Sequence, residues 1–305
     1  MADEARAGWR RWGIACGVVF LLSCLVGPIV VHFGQERHDR VDSDVAAQFP
    51  PSQQIVGGEV FASTVVAIME HELDGLTGWR PNDFVLWGPR LWADNNSNRQ
   101  LGILQAVRES VRVFKDHLTK VSSNEYDPNL VAADTAFRND AEKLWLPSAE
   151  RKLREGIRDL QAYVDGLRST PQRSRPINQR NIELIRLFQA WGDLLGDAHA
   201  NLYREPESVW RTDDDFYRAQ GFAHTMAYLV RAVAREYQHE FDAKPAIRPL
   251  FDEVAAALGQ AAVLKPLIVF DGRPDGIFAN HRRNLDAYIT EARQKIYSIR
   301  EELEK

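Results

Sequence analysis

Residues 178–203 read NQRNIELIRLFQAWGDLLGDAHANLY, with apolar side chains recurring at the helical period. Leu184, Leu187, Phe188, Trp191, Leu194, Leu195, Ala198 and Leu202 form one wide stripe uninterrupted by proline. That predicts a central, two-sided bundle helix. A single helix cannot bury such a stripe alone, so the rest of the chain has to supply partners.

Partners are legible on both sides. Residues 59–73 read as a short helix. Leu101, Leu104, Val107, Val111, Phe114 and Leu118 predict a helix from about 98 to 120, with Ser97 and Gln100 at capping-box spacing. Asp127-Pro128-Asn129 opens a helix that carries Phe137, Leu144 and Trp145, meets Pro147, and resumes through Ile157, Leu160, Tyr163 and Leu167. Residues 169–176 are a proline-punctuated link. Thr212 and Asp215 announce a helix over 213–241, and another is expected over 247–264. Residues 264–276 read as a loop with at most one short strand, before a last helix from about Asn280 to Glu304. No useful run alternates at period two, so residues 59–305 are expected to form an all-α domain of about seven helices.

The N-terminus has a different character. Gly13 to Val31 carries no charge, which is about one bilayer's width of helix. Arg6, Arg10 and Arg11 precede it, whereas Arg37 and Arg40 follow interleaved with Glu36 and Asp39, a bias that keeps the N-terminus inside. The expected organisation is a cytoplasmic stub (1–11), a transmembrane anchor in the lipid bilayer (12–33), a linker (34–58) ending in FPPSQQIVGG, and a periplasmic all-α domain (59–305). That is a single-pass protein of the bacterial inner membrane. No A-x-A site follows the run, which argues against a cleaved signal peptide. Leu21-Leu22-Ser23-Cys24 resembles a lipoprotein box, but the chain stays apolar after Cys24. Gly13-x-x-x-Gly17 and Ser23-x-x-x-Gly27 would allow a homodimer through the span. Cys16 and Cys24 both lie within it, so the outer domain has no disulfide.

A chain of 305 residues with 45% hydrophobic side chains can bury a real core, and its net charge of -5 gives no basic footprint for nucleic acid. Beyond residue 40 there are 33 basic and 39 acidic side chains, a surface that anionic headgroups should on average repel.

TGWRPND, LWADNNSNRQLG, TAFRNDAEKLW, RPINQRNIELIRLFQAWGDLLGDAHANLY and NHRRNLDAYITEARQKIYSIREELE together resemble a family of bacterial membrane proteins catalogued as domain of unknown function 2333. The resemblance covers nearly all of the chain beyond the anchor. It implies a one-span envelope protein of Gram-negative bacteria, and it carries over no activity and no catalytic residue.

Reaction chemistry is mostly missing from the motifs. His71-Glu72 and His239-Glu240 each begin H-E-x-x-H, but the closing positions are Gly75 and Ala243. Glu236-Tyr-Gln-His239 is one half of a di-iron pattern that has no second half. Asp94, Asn96 and Asn98 resemble the start of a calcium loop, yet Arg99 and Gln105 stand where glycine and glutamate are needed. Asp193, Asp197 and His199 read as an ion network. No metal and no cofactor is expected.

One stretch is out of keeping with the rest. GWRPNDFVLWGPRLWADNNSNRQ, residues 78–100, holds three of the eight tryptophans inside helix-forming sequence. Trp79, Trp87 and Trp92 are expected to anchor a loop on the bundle, at least one of the latter two buried. Arg80, Asp83, Asp94 and Asn95 would offer polar groups at the rim of a cleft. These seven residues are the candidate ligand or partner site. The expected function is a bitopic protein with a binding or scaffold domain for an envelope protein. The alternative is an envelope enzyme acting on peptidoglycan or another glycan through the carboxylates near the tryptophans.

Overall fold

A computed structural model describes residues 2–37, 48–75, 77–82, 94–119, 125–178, 180–205, 209–242, 244–273 and 277–305, and among the described residues there are ten α-helices. They are α1 (Ala2–Arg37), α2 (Glu59–Asp74), α3 (Asn95–Val113), α4 (Pro128–Phe137), α5 (Ala149–Arg168), α6 (Asn181–Tyr203), α7 (Val209–Glu236), α8 (Gln238–Asp242), α9 (Ile247–Ala262) and α10 (His281–Glu304). Among the described residues there is no strand, only one isolated bridge between Asp271 and Asn280. The all-α expectation stands, with nine α-helices from Glu59 on among the described residues where about seven are expected.

The charge-free run Gly13–Val31 lies wholly inside α1. Consecutive residues Val18 to Leu22 are all exposed, so apolar side chains point outward around the whole helix. Cys24 is covered, and α1 touches α3. Only the helical part of the expected span is met, because among the described residues no helix is long and apolar enough to cross a membrane. The side chains of Leu25, Pro28 and residues 31–37 lie outside the described residues, which breaks the run.

All eight stripe residues of α6 are buried. The hub, however, is α7, which touches α2, α3, α6, α9 and α10. Its residues 219–227 are buried without a break, as befits a helix enclosed on every side. The closest approach is at the crossing of α3 and α7. A Cβ on Gly102 would land on the carbonyl oxygen of Arg218, and one on Gly221 on that of Arg99. Glycine lets the two backbones meet.

The bundle has two distinct ends. At the linker end, Phe49 packs on Val60 and Ala232. Arg235 donates to the carbonyls of Phe49, Pro50 and Gln53 at 2.8, 3.0 and 2.7 Å. The last part of the expected linker is therefore tied to the bundle. At the far end lie the C-termini of α2 and α6, the N-termini of α3, α7 and α10, and the loop residues 77–82, 138–148, 263–273 and 277–280.

Four boundaries differ from expectation, each for a physical reason. α3 starts at Asn95 and ends in a π-helical turn, Phe114–Leu118, and Ser97 is not its cap. The amide of Gln100 instead donates to the carbonyl of Gly78 and accepts from the N–H of Arg80, so tertiary contacts take the capping side chain. α4 ends at Phe137, which leaves Leu144 and Trp145 in a loop, and α5 restarts under its own cap, Ser148. α7 begins at Val209, so Thr212 lies within the helix and not before it.

Candidate functional site

The described part of the tryptophan stretch is fixed at the far end by its own polar groups. Trp79 is buried, and its indole N–H donates to the carbonyl of Ala141 at 2.9 Å. The amide of Asn82 donates to the carbonyl of Lys143 at 3.2 Å and to the carboxylate of Glu150 at 2.9 Å. Asn95, on the far side of the stretch, reaches the carbonyl of Leu267 at 3.5 Å. Asn82 and Asn95 thus hold two loops of the far end, one before α5 and one after α9.

Arg80 departs from expectation. It is 1% exposed, so it belongs to the interior and not to the rim of a cleft. Asp94 and Asn95 are half-buried. Asp83, Trp87 and Trp92 lie outside the described residues, and the expected burial of Trp87 or Trp92 lies there too. Of the seven candidates, the structure thus places Trp79, Arg80, Asp94 and Asn95 around the start of α3.

Beneath them lies a polar cluster that the motifs do not announce. The guanidinium of Arg99 donates to Glu72 at 2.9 Å and stands 3.5 Å from Nε2 of His224. All three are buried. Because arginine only donates, Nε2 is the acceptor and the ring proton sits on Nδ1. Burial holds His224 well below its ordinary pKa, helped by the positive charge of Arg99. Asn96 donates to Thr77. Among the described residues, Glu72 Oε1, Arg99 Nε, Asn96 Oδ1 and Ser97 Oγ find no hydrogen-bond partner.

A second group stands nearer the surface. Asn98 donates to Asp214 at 2.5 Å, and Asp213 beside it is half-buried. Burial pushes Asp213 up to about 7, and the charges of Asp94 and Asp214 add to the rise.

What this arrangement can do is limited by access. A general base must reach its substrate, and Glu72 and His224 are enclosed by three helices. They serve as a rigid frame for the loops above. Among the described residues of this end, Asp213 is half-buried and its raised pKa suits proton transfer near neutrality. Among the described residues no group of histidine, cysteine, aspartate or glutamate side chains is arranged to hold a metal.

Other anticipated groups fall elsewhere. Asp193 and Asp197 are exposed, whereas His199 pairs with Asp286 of α10 at 2.7 Å. Glu72, Arg99, Gln100, His224 and Asp213 are the residues that motif reading missed. The available signal was NNSNRQ, six polar residues in a row opening a helix whose first turns are buried.

A family described as "Uncharacterized protein conserved in bacteria (DUF2333)" matches residues 4–203 and 196–305. No curated protein and no solved structure matches the chain.

Proposed function

We propose, from the premise that the chain belongs to the bacterial family DUF2333, that it is a bitopic inner-membrane protein presenting its bundle in the periplasm as a binding or scaffold module. The observation that carries this reading is α1. Val18 to Leu22 are exposed on consecutive positions, so no single face of the helix could be hidden against a bundle. A bilayer covers such a helix on every side. Arg6, Arg10 and Arg11 favour the orientation with the N-terminus inside.

The binding surface is assigned to the far end, where Asn82 and Asn95 hold two loops and the enclosed cluster of Glu72, Arg99 and His224 supplies a stiff base. The experiment is capture of an envelope protein from solubilised membranes by the full chain. Wild type should retain a defined partner, and Asp94→Ala or Trp87→Ala should weaken its capture. Equal capture by all three proteins would remove the site.

Asp213 supports a second reading, an enzyme acting on a glycan. A carboxyl raised to about 7 beside two further carboxyl groups resembles the division of labour in glycoside hydrolysis. Release of soluble fragments from peptidoglycan by wild type, lost in Asp213→Asn, would favour it. No release from either protein would exclude it.

A further inference from the structure

The far end carries apolar side chains that neither the core nor the polar frame uses. Leu144, Trp145 and Leu146 project from the loop before α5, the last two 77% and 90% exposed. Leu267, Ile268, Phe270, Ile277 and Phe278 project from the loop before α10, where Ile277 is 96% exposed and the rings of Phe270 and Phe278 stack at 5.3 Å. Both loops are held beside the start of α3, through Asn82 and Asn95. Elsewhere on the bundle exposed large apolar residues stand singly, as Ile182 and Tyr297 do.

We propose that this end is an interfacial foot that inserts Trp145, Leu146, Ile277 and Phe278 into the same bilayer that holds α1. The inference rests on the anchor reading of α1.

Three observations favour a lipid surface. The side chains sit at bends in two separate loops, so they can enter a fluid surface one by one. Tryptophan is at home at the level of the headgroups. The charges agree locally although the chain as a whole is acidic. KLWLPS (143–148), KPLIVF (265–270) and IFANHRR (277–283) contain no carboxylate, and Lys143 and Arg283 are exposed beside the apolar tips, while the exposed carboxylates of Asp140, Glu142 and Asp271 border these runs without entering them. Anionic lipid is the complement of such runs.

Geometry permits the same bilayer. The 19 residues of α3 and the 5 of its π turn separate the far end from the linker end by about 36 Å. Twelve residues from Arg37 to Phe49 can span at most ~40 Å. The tether is long enough for the foot to come down. A partner engaged through residues 78–95 would then be one that reaches the bilayer surface.

The test uses the full chain with Cys16→Ala and Cys24→Ala, reconstituted in nanodiscs of phosphatidylethanolamine and phosphatidylglycerol. Leu146→Cys or Phe278→Cys carries an environment-sensitive fluorophore, and Tyr126→Cys at the linker end serves as reference. The expected result is a blue shift with a several-fold gain in emission at 146 and 278 in nanodiscs, absent in detergent and absent at 126. Emission that stays water-like, a shift equal at all three positions, or a shift only after vesicles supply a second, facing bilayer would each overturn the proposal. Co-elution with the nanodisc is read in the same sample. Its loss means that the anchor reading has failed, whereas co-elution without the shift means that only the foot has failed.

Discussion

Glu236, the last residue of α7, caps the first turn of α2 from 178 positions away, accepting from the N–H of Gly58 at 3.0 Å and from that of Phe61 at 2.9 Å. Beside it Arg235 binds the three carbonyls of the incoming linker. The entry of the chain into the bundle is thus set by two adjacent side chains at one helix end.

Burial raises Glu236 to about 7 against the pull of those N–H donors. A raised carboxyl means that the folded state holds the proton more tightly, so this contribution is full below the ordinary 4.5 and is lost as the pH rises through about 7. Its size is on the order of 3 kcal/mol. Glu236→Gln removes the titration. Melting followed from about pH 5 to about pH 8 should therefore show the variant gaining on the wild type. A constant difference between the two would contradict the assignment.

The pair of Glu72 and Arg99 is enclosed with His224, so breaking it leaves a charge without its partner. Arg99→Leu should cost about 3 to 5 kcal/mol, and the double change Glu72→Leu with Arg99→Leu should cost less than either single one. Denaturant unfolding of the four proteins measures this. His224 adds an opposite pH term, because its depressed pKa gives stability that is present above 6.5 and is lost as the pH falls.

Gly102 and Gly221 set the distance between α3 and α7. Glycine to alanine inside a helix normally favours the helix by about 1 kcal/mol. Here the new methyl group would meet a backbone carbonyl, which cannot step aside. Either Gly102→Ala or Gly221→Ala should instead destabilise by about 1 to 3 kcal/mol. The sign of the shift in melting temperature is the readout.

Trp79 and Arg80 are interior residues and should behave as such. Trp79→Phe keeps a ring but orphans the carbonyl of Ala141, at a cost of about 1 to 3 kcal/mol. Arg80→Ala should also lower the melting temperature. An unchanged melt for Arg80→Ala would return that side chain to the rim.

Helices with clean apolar stripes are legible, α6 above all, whose buried face holds only apolar side chains and Gly192, and α10 too, where Arg282 and Asp286 near its start join an otherwise apolar face. The hub is not. α7 buries Thr212, Gln220, His224, Thr225 and Glu236 among its apolar residues, and these blur the period that marks a core helix. Partners distant in sequence explain the rest. Gln100 looked like a local cap and is a tertiary one, and Arg80 looked like a surface cation because nothing near it in the chain announces the enclosure it occupies. Trp79 marks the end of the bundle where the loops meet, since its indole needs both a pocket and an acceptor.

The central claim is that α1 spans the inner membrane and leaves the bundle outside the cytoplasm. A pair of reporters fused after Lys305 tests it most directly: an alkaline phosphatase that is active only in the periplasm, and a fluorescent protein that folds only in the cytoplasm. The account predicts phosphatase activity in membrane fractions and no fluorescence. Fluorescence without phosphatase activity would contradict it.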